Sequence, residues 1–511
     1  WARATAMLTV GDVEARYKII EPLAEGLSDD LLRQSVMLPL ANRLEALTRD
    51  SDALMGRQHR LINAGSRRGI RALKPGIAIS KMEIIEEAEG HLEIEPDRIY
   101  VIPATVADLK PMRGILTLDS GNALSHAQLL AANLGIPNST IPSSVLSELK
   151  KHRGEEMFYA VTPRGTVVLR PWASLSAAEQ AVWKKTKTER KRVALDTSKT
   201  NVRDRRLRAL EETSMADSGV LCGPKAANLG QLKRLFPDTV APGVVVPFGV
   251  FYAHASKKGP NAPSVLDRVQ AAYGEVERMR LAGATADAMR EFMRPRLEVI
   301  RKTILGMTLE PWLVEELNRH LRSTFGPDGT YGVFVRSDTN AEDLPQFTGA
   351  GLNLTVPNVV GEAKIANAIK EVWASPFEER AWAWRSEALE SSDKVYPSVV
   401  LLRTVPSAKS GVMGTANLST LDLSEITVNV NEGVAAVVDG GVSESLLLRA
   451  NGSVRLLAQA RSAYKKVPLR SGGFSMAPTS GSDFILSESE VQRLRQLAVE
   501  VKSKLPAARD D

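Results

Sequence analysis

The chain has 511 residues, 43% of them hydrophobic and 25% charged, which predicts a globular protein of two to four domains. Its 66 basic residues exceed the 60 acidic ones by only six and aromatic residues make up 5%, which argues against nucleic acid as a partner. One cysteine, Cys222, excludes an intrachain disulfide and fits a reducing compartment, and no signal peptide or apolar run of membrane-spanning length is visible.

Residues 1–75 read as helical, because Leu23, Leu27, Leu31 and Leu32, then Leu38, Leu40, Leu44 and Leu47, recur at three-to-four spacing. The chain opens on Trp1 rather than Met, so a processed form or a piece of a longer protein is expected. Residues 76–172 alternate short strands (77–79, 99–102, 114–118, 157–161, 166–169) with helices near 104–109, 127–134 and 143–152. This predicts a compact α/β domain of about 95 residues, a usual size for a mobile unit.

Within it, the strand 114–118 hands over to the turn-prone Asp119, Ser120, Gly121 and Asn122, and then to Ser125, His126 and an Ala/Leu-rich helix. His126 therefore stands at a helix N-terminus, where free N–H groups and the helix dipole favour anions. An imidazole there can attack phosphorus and carry the phosphoryl group. The plainer reading is a surface histidine beside an N-capping Ser125.

Residues 173–215 hold two basic clusters, Lys184 to Arg192 and Arg203 to Arg208, with few core-type residues. They read as a solvated linker or hinge, with an acidic-polymer-binding patch as a third reading. Residues 216–511 then bring three polar constellations. Gly223-Pro224-Lys225 sets a point charge after a glycine turn. Val335-Arg336-Ser337-Asp338-Thr339-Asn340-Ala341-Glu342-Asp343-Leu344 delivers Arg336 from a strand. Its guanidinium fork suits phosphate oxygens, but an Arg336–Glu342 salt bridge in a turn would look the same. Val430-Asn431-Glu432-Gly433 ends a strand on Glu432, which is either a ribose or magnesium ligand or an ordinary surface glutamate. A capped helix follows Ser487 and runs to about Leu505.

Together these runs resemble the dikinase family that includes phosphoenolpyruvate synthase, pyruvate phosphate dikinase and glucan water dikinase. G-N-A-L-S-H-A-Q-L-L-A-A-N-L-G-I-P at 121–137 resembles its phosphohistidine motif. G-P-K-A-A-N-L-G, R-S-D-T-N-A-E-D-L and W-A-S-P-F-E-E-R resemble its nucleotide-domain signatures. Leu124 before Ser-His, the S-D-x-N form and a His domain preceding the nucleotide domain favour the glucan water dikinase branch. Departures are Ala132 for the usual Arg in the helix, Leu402 for a Gln, and altered glycines around Glu432. The metal-binding D-x-E strand expected next is not reached before Asp511.

The resemblance implies an α/β multidomain architecture: a helical segment (1–75), a swivelling β/β/α phosphohistidine domain (76–172), a basic hinge (173–215) and an ATP-grasp-like α+β nucleotide domain (216–511), incomplete at its C-terminal end. It implies ATP and Mg2+ as cofactors, His126 as the phosphoryl carrier through Nε2 or Nδ1, and Lys225, Arg336, Arg380, Glu342 and Glu432 as nucleotide-binding residues. Glu432 is also the candidate metal ligand. The implied reaction is ATP-dependent phosphoryl transfer through phosphohistidine to an α-glucan, releasing AMP and phosphate. The alternatives are a phosphoenolpyruvate synthase-like enzyme with a small-molecule acceptor, or a degenerate nucleotide-binding or regulatory module. A soluble intracellular setting, cytoplasmic or plastid-like, without membrane partners, is the expectation; the oligomeric state is left open.

Overall fold

Two large sheets, one mixed and one antiparallel, organise the chain in a computed structural model, which describes residues 37–54, 56, 59–62, 70–85, 98–102, 112–118, 136–186, 192–342, 352–390, 392–417, 422–434, 437, 443–460, 462–482, 484–505 and a few positions between 14 and 36. A helix, α1 (Met37–Leu54), covers the second group of periodic leucines, although Leu40, Leu44 and Leu47 are exposed.

The first sheet has eight strands: β1 (Arg60–Leu61), β2 (Arg71–Lys74), β3 (Gly76–Ile84), β4 (Arg98–Ile102), β5 (Gly114–Leu118), β6 (Asn138–Ile141), β7 (Glu156–Val161) and β8 (Val167–Pro171). Their spatial order is β1-β8-β7-β3-β4-β5-β6-β2, with β3, β4, β5 and β6 parallel to one another. Parallel strands are usually covered on both faces, hence their unbroken apolar runs. Here Ile99, Val101, Leu116 and Leu118 face one core, and Tyr100, Ile102 and Ile115 face another. The expectation of helix throughout 1–75 is corrected at its end, because β1 and β2 are bonded into this sheet. Strands of two and four residues are too short to display an alternation that sequence reading can detect.

The expected linker also contains ordered structure. Helix α2 (Leu146–Lys150), ahead of that stretch, packs Leu149 into a core of the first sheet, and within it α3 (Ala177–Thr186) brings Trp183 against Phe158 of β7, with ring centroids 5.1 Å apart. Further on, β9 (Arg208–Ala209) is the edge strand of the second sheet. Arg208 is buried and bonded to Asp204 at 2.6 Å, so this part of the basic stretch is structural.

The second sheet is antiparallel. Helix α4 (Pro224–Leu235), β10 (Gly243–Val246) and helices α5 (Phe248–Ala255), α6 (Val265–Leu281), α7 (Ala286–Leu305) and α8 (Pro311–Phe325) precede β11 (Gly332–Thr339) and β12 (Thr355–Val360). Helices α9 (Glu362–Ala374) and α10 (Glu379–Ala388) then lead to β13 (Pro397–Arg403), giving the order β12-β11-β13-β10-β9. Alternation along the strands sorts the two faces. Val244, Val246, Val333, Val335, Val399 and Leu401 pack under the helices α5 to α9, while Val245, Val400 and Leu402 pack under α4.

Helix α9 shows why the larger core forms. Ile365, Ala368, Ile369, Val372 and Trp373 recur at helical spacing and all are buried. The Trp373 ring lies 5.7 Å from Phe251 and 5.5 Å from His254. Replacing Trp373 with alanine is expected to cost about 3–5 kcal/mol of stability, measured by denaturant unfolding. Trp373→Phe is expected to cost under about 1.5 kcal/mol, since it keeps ring packing and removes an indole N–H with no acceptor among the described residues.

A third sheet, β14 (Lys409–Gly414), β15 (Ile426–Glu432), β16 (Glu444–Leu448) and β17 (Val454–Ala458), is antiparallel in sequence order. A hairpin of β18 (Tyr464–Pro468) and β19 (Phe474–Pro478) bridges it to the second sheet: Phe474 lies 6.3 Å from Phe334, and Asn358 donates to the Leu469 and Gly473 carbonyls. The final helix, α11 (Glu488–Lys504), has the expected capping box between Ser487 and Glu490.

Candidate active site

The candidate site starts from the register of β11 and β13. Phe334, Arg336 and Asp338 stand opposite Leu402, Val400 and Ser398, so all six share the face that carries α4. Gly223, the residue before α4, meets this face edge-on. Its N–H donates to Asp338 Oδ2 at 2.7 Å, and a Cβ there would come within 2.5 Å of the Thr339 carbonyl oxygen. The glycine of the G-P-K run is thus required by backbone contact across the site. Lys225, in the first turn of the helix, donates its N–H to Asp338 Oδ1 at 2.9 Å.

The Lys225 side chain then reaches the Ser337 carbonyl at 3.1 Å and Glu342 Oε2 at 2.5 Å. Glu342 is buried and also accepts from Asn353 Nδ2 at 2.7 Å. Arg336 is half-buried beside it. Burial holds its guanidinium below the ordinary range, against the opposing pull of Glu342 and Asp338, yet it makes no hydrogen bond to a described residue. The salt bridge of this turn is therefore Lys225–Glu342, in place of the Arg336–Glu342 pair that the sequence left open. Lys225, Arg336 and Glu342 are gathered in one place, with Lys225 engaged and the Arg336 guanidinium without a hydrogen bond among the described residues.

Arg380 lies on the first turn of α10, half-buried and depressed by burial. Its neighbour Ala381 packs in a cluster with Ala341 and Leu352, the described residues on either side of the Glu342 turn. Arg385, which the motif reading included while choosing Arg380 as the phosphate contact, is buried on the same helix, donates to the Pro376 carbonyl and feels Glu342 electrostatically. Two arginines five apart on one helix gave no sign of which would turn inward.

Glu432 is committed elsewhere. It accepts from Lys465 Nζ at 2.7 Å and from the backbone and hydroxyl of Ser480, pinning the β18–β19 hairpin to β15. Burial raises its pKa, but these bonds outweigh that and leave it lowered. The neighbouring Gly433 has a positive φ of 83°, and a Cβ there would meet the Lys466 carbonyl oxygen at 2.7 Å. Asp338, Glu342 and Glu432 all accept from protein donors, and no group of three potential metal ligands occurs among the described residues. The Glu432 carboxylate, the candidate magnesium ligand, is here taken up by Lys465 and Ser480. Leu402, in place of the expected Gln, packs in the core beneath α4 with Leu229.

His126 lies outside the described residues, between the end of β5 and Ile136. The two flanks are informative. Ile115 of β5 and Ile136 share one buried cluster with Ala341, Leu352, Ala381 and Trp384 of the second unit. Arg192 and Val193 fasten the connecting chain to the end of α10, through a 2.8 Å bond to the Leu389 carbonyl and a bridge to Leu389, and to α6, where Arg192 Nη1 donates to both Glu277 carboxylate oxygens at 3.0 and 3.1 Å.

Residues 220–510, more than half the chain, match the family model described as pyruvate phosphate dikinase, AMP/ATP-binding domain. The chain belongs to this dikinase family. Its cation cluster at Lys225 and Arg336 lies inside the matched region. Among relatives, phosphoenolpyruvate synthase of Pyrococcus furiosus is 36% identical over 157 residues, covering 30% of this chain and 19% of its own. Probable phosphoenolpyruvate synthase of Methanothermobacter thermautotrophicus is 27% identical over 308 residues, covering 59% and 42%. Rifampicin phosphotransferase of a Streptomyces species is 31% identical over 259 residues, covering 50% and 28%. The chain therefore spans less than half the length of each of these relatives. Among the described residues no helix is long and apolar enough to cross a membrane.

Proposed function

We propose that this chain is the nucleotide and phosphohistidine portion of an ATP-dependent phosphotransferase that passes its phosphoryl group to a small-molecule acceptor. The observation that carries the reading is the pairing of Lys225 with Arg336 around one buried carboxylate, within the region matched to an AMP/ATP-binding family. Phosphoryl transfer asks a protein chiefly for positioning and charge neutralisation. The triphosphate of Mg-ATP displaces Glu342 from Lys225, and Arg336 closes on a second oxygen through its planar fork. His126 attacks the β-phosphorus as the bond to the α-phosphate breaks and AMP departs, water then cleaves the bond to the terminal phosphorus and phosphate departs, and the His-bearing unit delivers the remaining phosphoryl group to the acceptor.

A small-molecule acceptor is preferred to the glucan that branch motifs and domain order first favoured, because the relatives carry phosphoenolpyruvate and rifampicin in their names. Glu432 and Arg380 take no assigned part in this mechanism. The test is acceptor-dependent AMP release from the full chain and ATP, with pyruvate, a rifamycin and soluble starch supplied in turn. Stimulation by either small molecule is the expected result. Stimulation by starch alone reinstates the glucan acceptor, and a protein that neither binds ATP nor releases AMP refutes the enzyme reading.

A further inference from the structure

Asp338 is fully buried at the candidate site, with 0% exposure, and neither the sequence motifs nor the reaction assign it a task. Its carboxylate draws three donors from two separate stretches of chain. They are the Gly223 N–H at 2.7 Å, the Lys225 N–H at 2.9 Å and the Ser398 hydroxyl at 2.8 Å. Two of these are the amides that a free helix N-terminus would offer to an anion. Asp338 thus caps α4 from across the sheet, and leaves recognition of an incoming phosphate to side chains.

We infer that Asp338 is a positioning residue of the nucleotide site: its buried carboxylate locks the start of α4, which bears Lys225, onto β11, which bears Arg336, so that both cations address the same polyphosphate. The inference rests on the nucleotide reading above. The close approach at Gly223 makes the lock rigid, since no side chain fits between the turn and the strand. Ser398, opposite Asp338 in the β11–β13 register, completes it from the third strand.

The clamp is also sensitive to protons. Burial, and then the charge of Glu342, push Asp338 up to about 7, against the bonds from Ser398 and Lys225. The charged or titratable groups facing it are Glu342 and Arg336 from β11 and its turn, and Lys225 and Cys222 from the α4 side. As pH falls through this range the carboxyl takes up a proton and keeps one good acceptor oxygen, so one of the two amides loses its partner. Lys225 is then less firmly placed, and affinity for the polyphosphate falls.

The test is calorimetric titration of the full chain with ATP and with adenosine at pH 8 and pH 6, for wild type, Asp338→Asn, Ser398→Ala and Lys225→Ala. The side-chain amide introduced by Asp338→Asn has the shape of the carboxylate but turns an N–H2 toward a backbone N–H. We expect about tenfold weaker ATP binding at pH 8 for Asp338→Asn and about threefold for Ser398→Ala. Adenosine affinity should stay within about twofold in both, because adenosine has no phosphate to misplace. The wild-type advantage over Asp338→Asn should shrink toward unity at pH 6; the titration of ATP itself is common to both proteins and cancels in the ratio. An unchanged ATP affinity in Asp338→Asn, an equal loss for ATP and adenosine, or a ratio independent of pH overturns the inference. If Asp338→Asn does not fold, an unchanged ATP affinity in Ser398→Ala overturns it. The two readings fail separately: retained ATP affinity in Lys225→Ala sinks the nucleotide reading, whereas its loss alongside an intact Asp338→Asn sinks only the clamp.

Discussion

His126→Ala is expected to abolish covalent labelling of the chain by ATP labelled at the β-phosphate, leaving ATP affinity within about twofold of wild type. The wild-type label should be lost in acid and kept in base, as a phosphorus–nitrogen bond requires. The effect is all-or-none because the covalent bond is made by the nucleophile itself. The pattern also separates the roles of the two units: if the histidine only helped to hold the nucleotide, affinity and labelling would fall together. Equal labelling of the wild type and the variant would remove the histidine from the mechanism. The flanks Ile115 and Ile136, packed with Ala341 and Leu352, give the physical ground for expecting His126 to work with this nucleotide site.

Removing Lys225 or Arg336 should have the next largest effect. Each is expected to weaken ATP binding by about 10²-fold when replaced by alanine, since charge-assisted contacts to phosphate are the strong ones. The two conservative changes should differ. Arg336→Lys retains charge but loses the fork, and recovers only part of the affinity. Lys225→Arg brings a larger, planar head toward Glu342 and the Ser337 carbonyl, where the Lys ammonium sits 2.5 and 3.1 Å from its partners, and should recover little. Nucleotide titration of the purified variants checks both. If neither alanine variant loses affinity, the cluster is a structural salt-bridge network and the phosphate site lies elsewhere.

The α10 segment illustrates how far local pattern reaches. The motif reading drew attention to Arg380, and the structure buries Arg385 beside Pro376 and within the electrostatic reach of Glu342. Helical spacing identifies a face, but which face meets the polar turn depends on how α10 packs against another part of the chain. Glu432 makes the same point. Its position at a strand end was legible, whereas its partners Lys465 and Ser480 come from a hairpin whose docking no local signal announces.

Several features were settled by the sequence itself, because they rest on short-range chemistry. The Ser487 capping box and the β11 run each follow from the steric or hydrogen-bonding needs of adjacent residues. The motif order was equally legible, and it led to the dikinase family. Tertiary structure alone decided three things: that β1, β2 and β9 complete sheets begun elsewhere, that Lys225 rather than Arg336 takes Glu342, and that Asp338 joins them. Gly223 and Asp338 are more than a hundred positions apart, and a buried carboxylate finds its donors wherever folding brings unsatisfied amides within about 3 Å. Such pairings are set by the arrangement of whole elements, which no stretch of a dozen residues encodes.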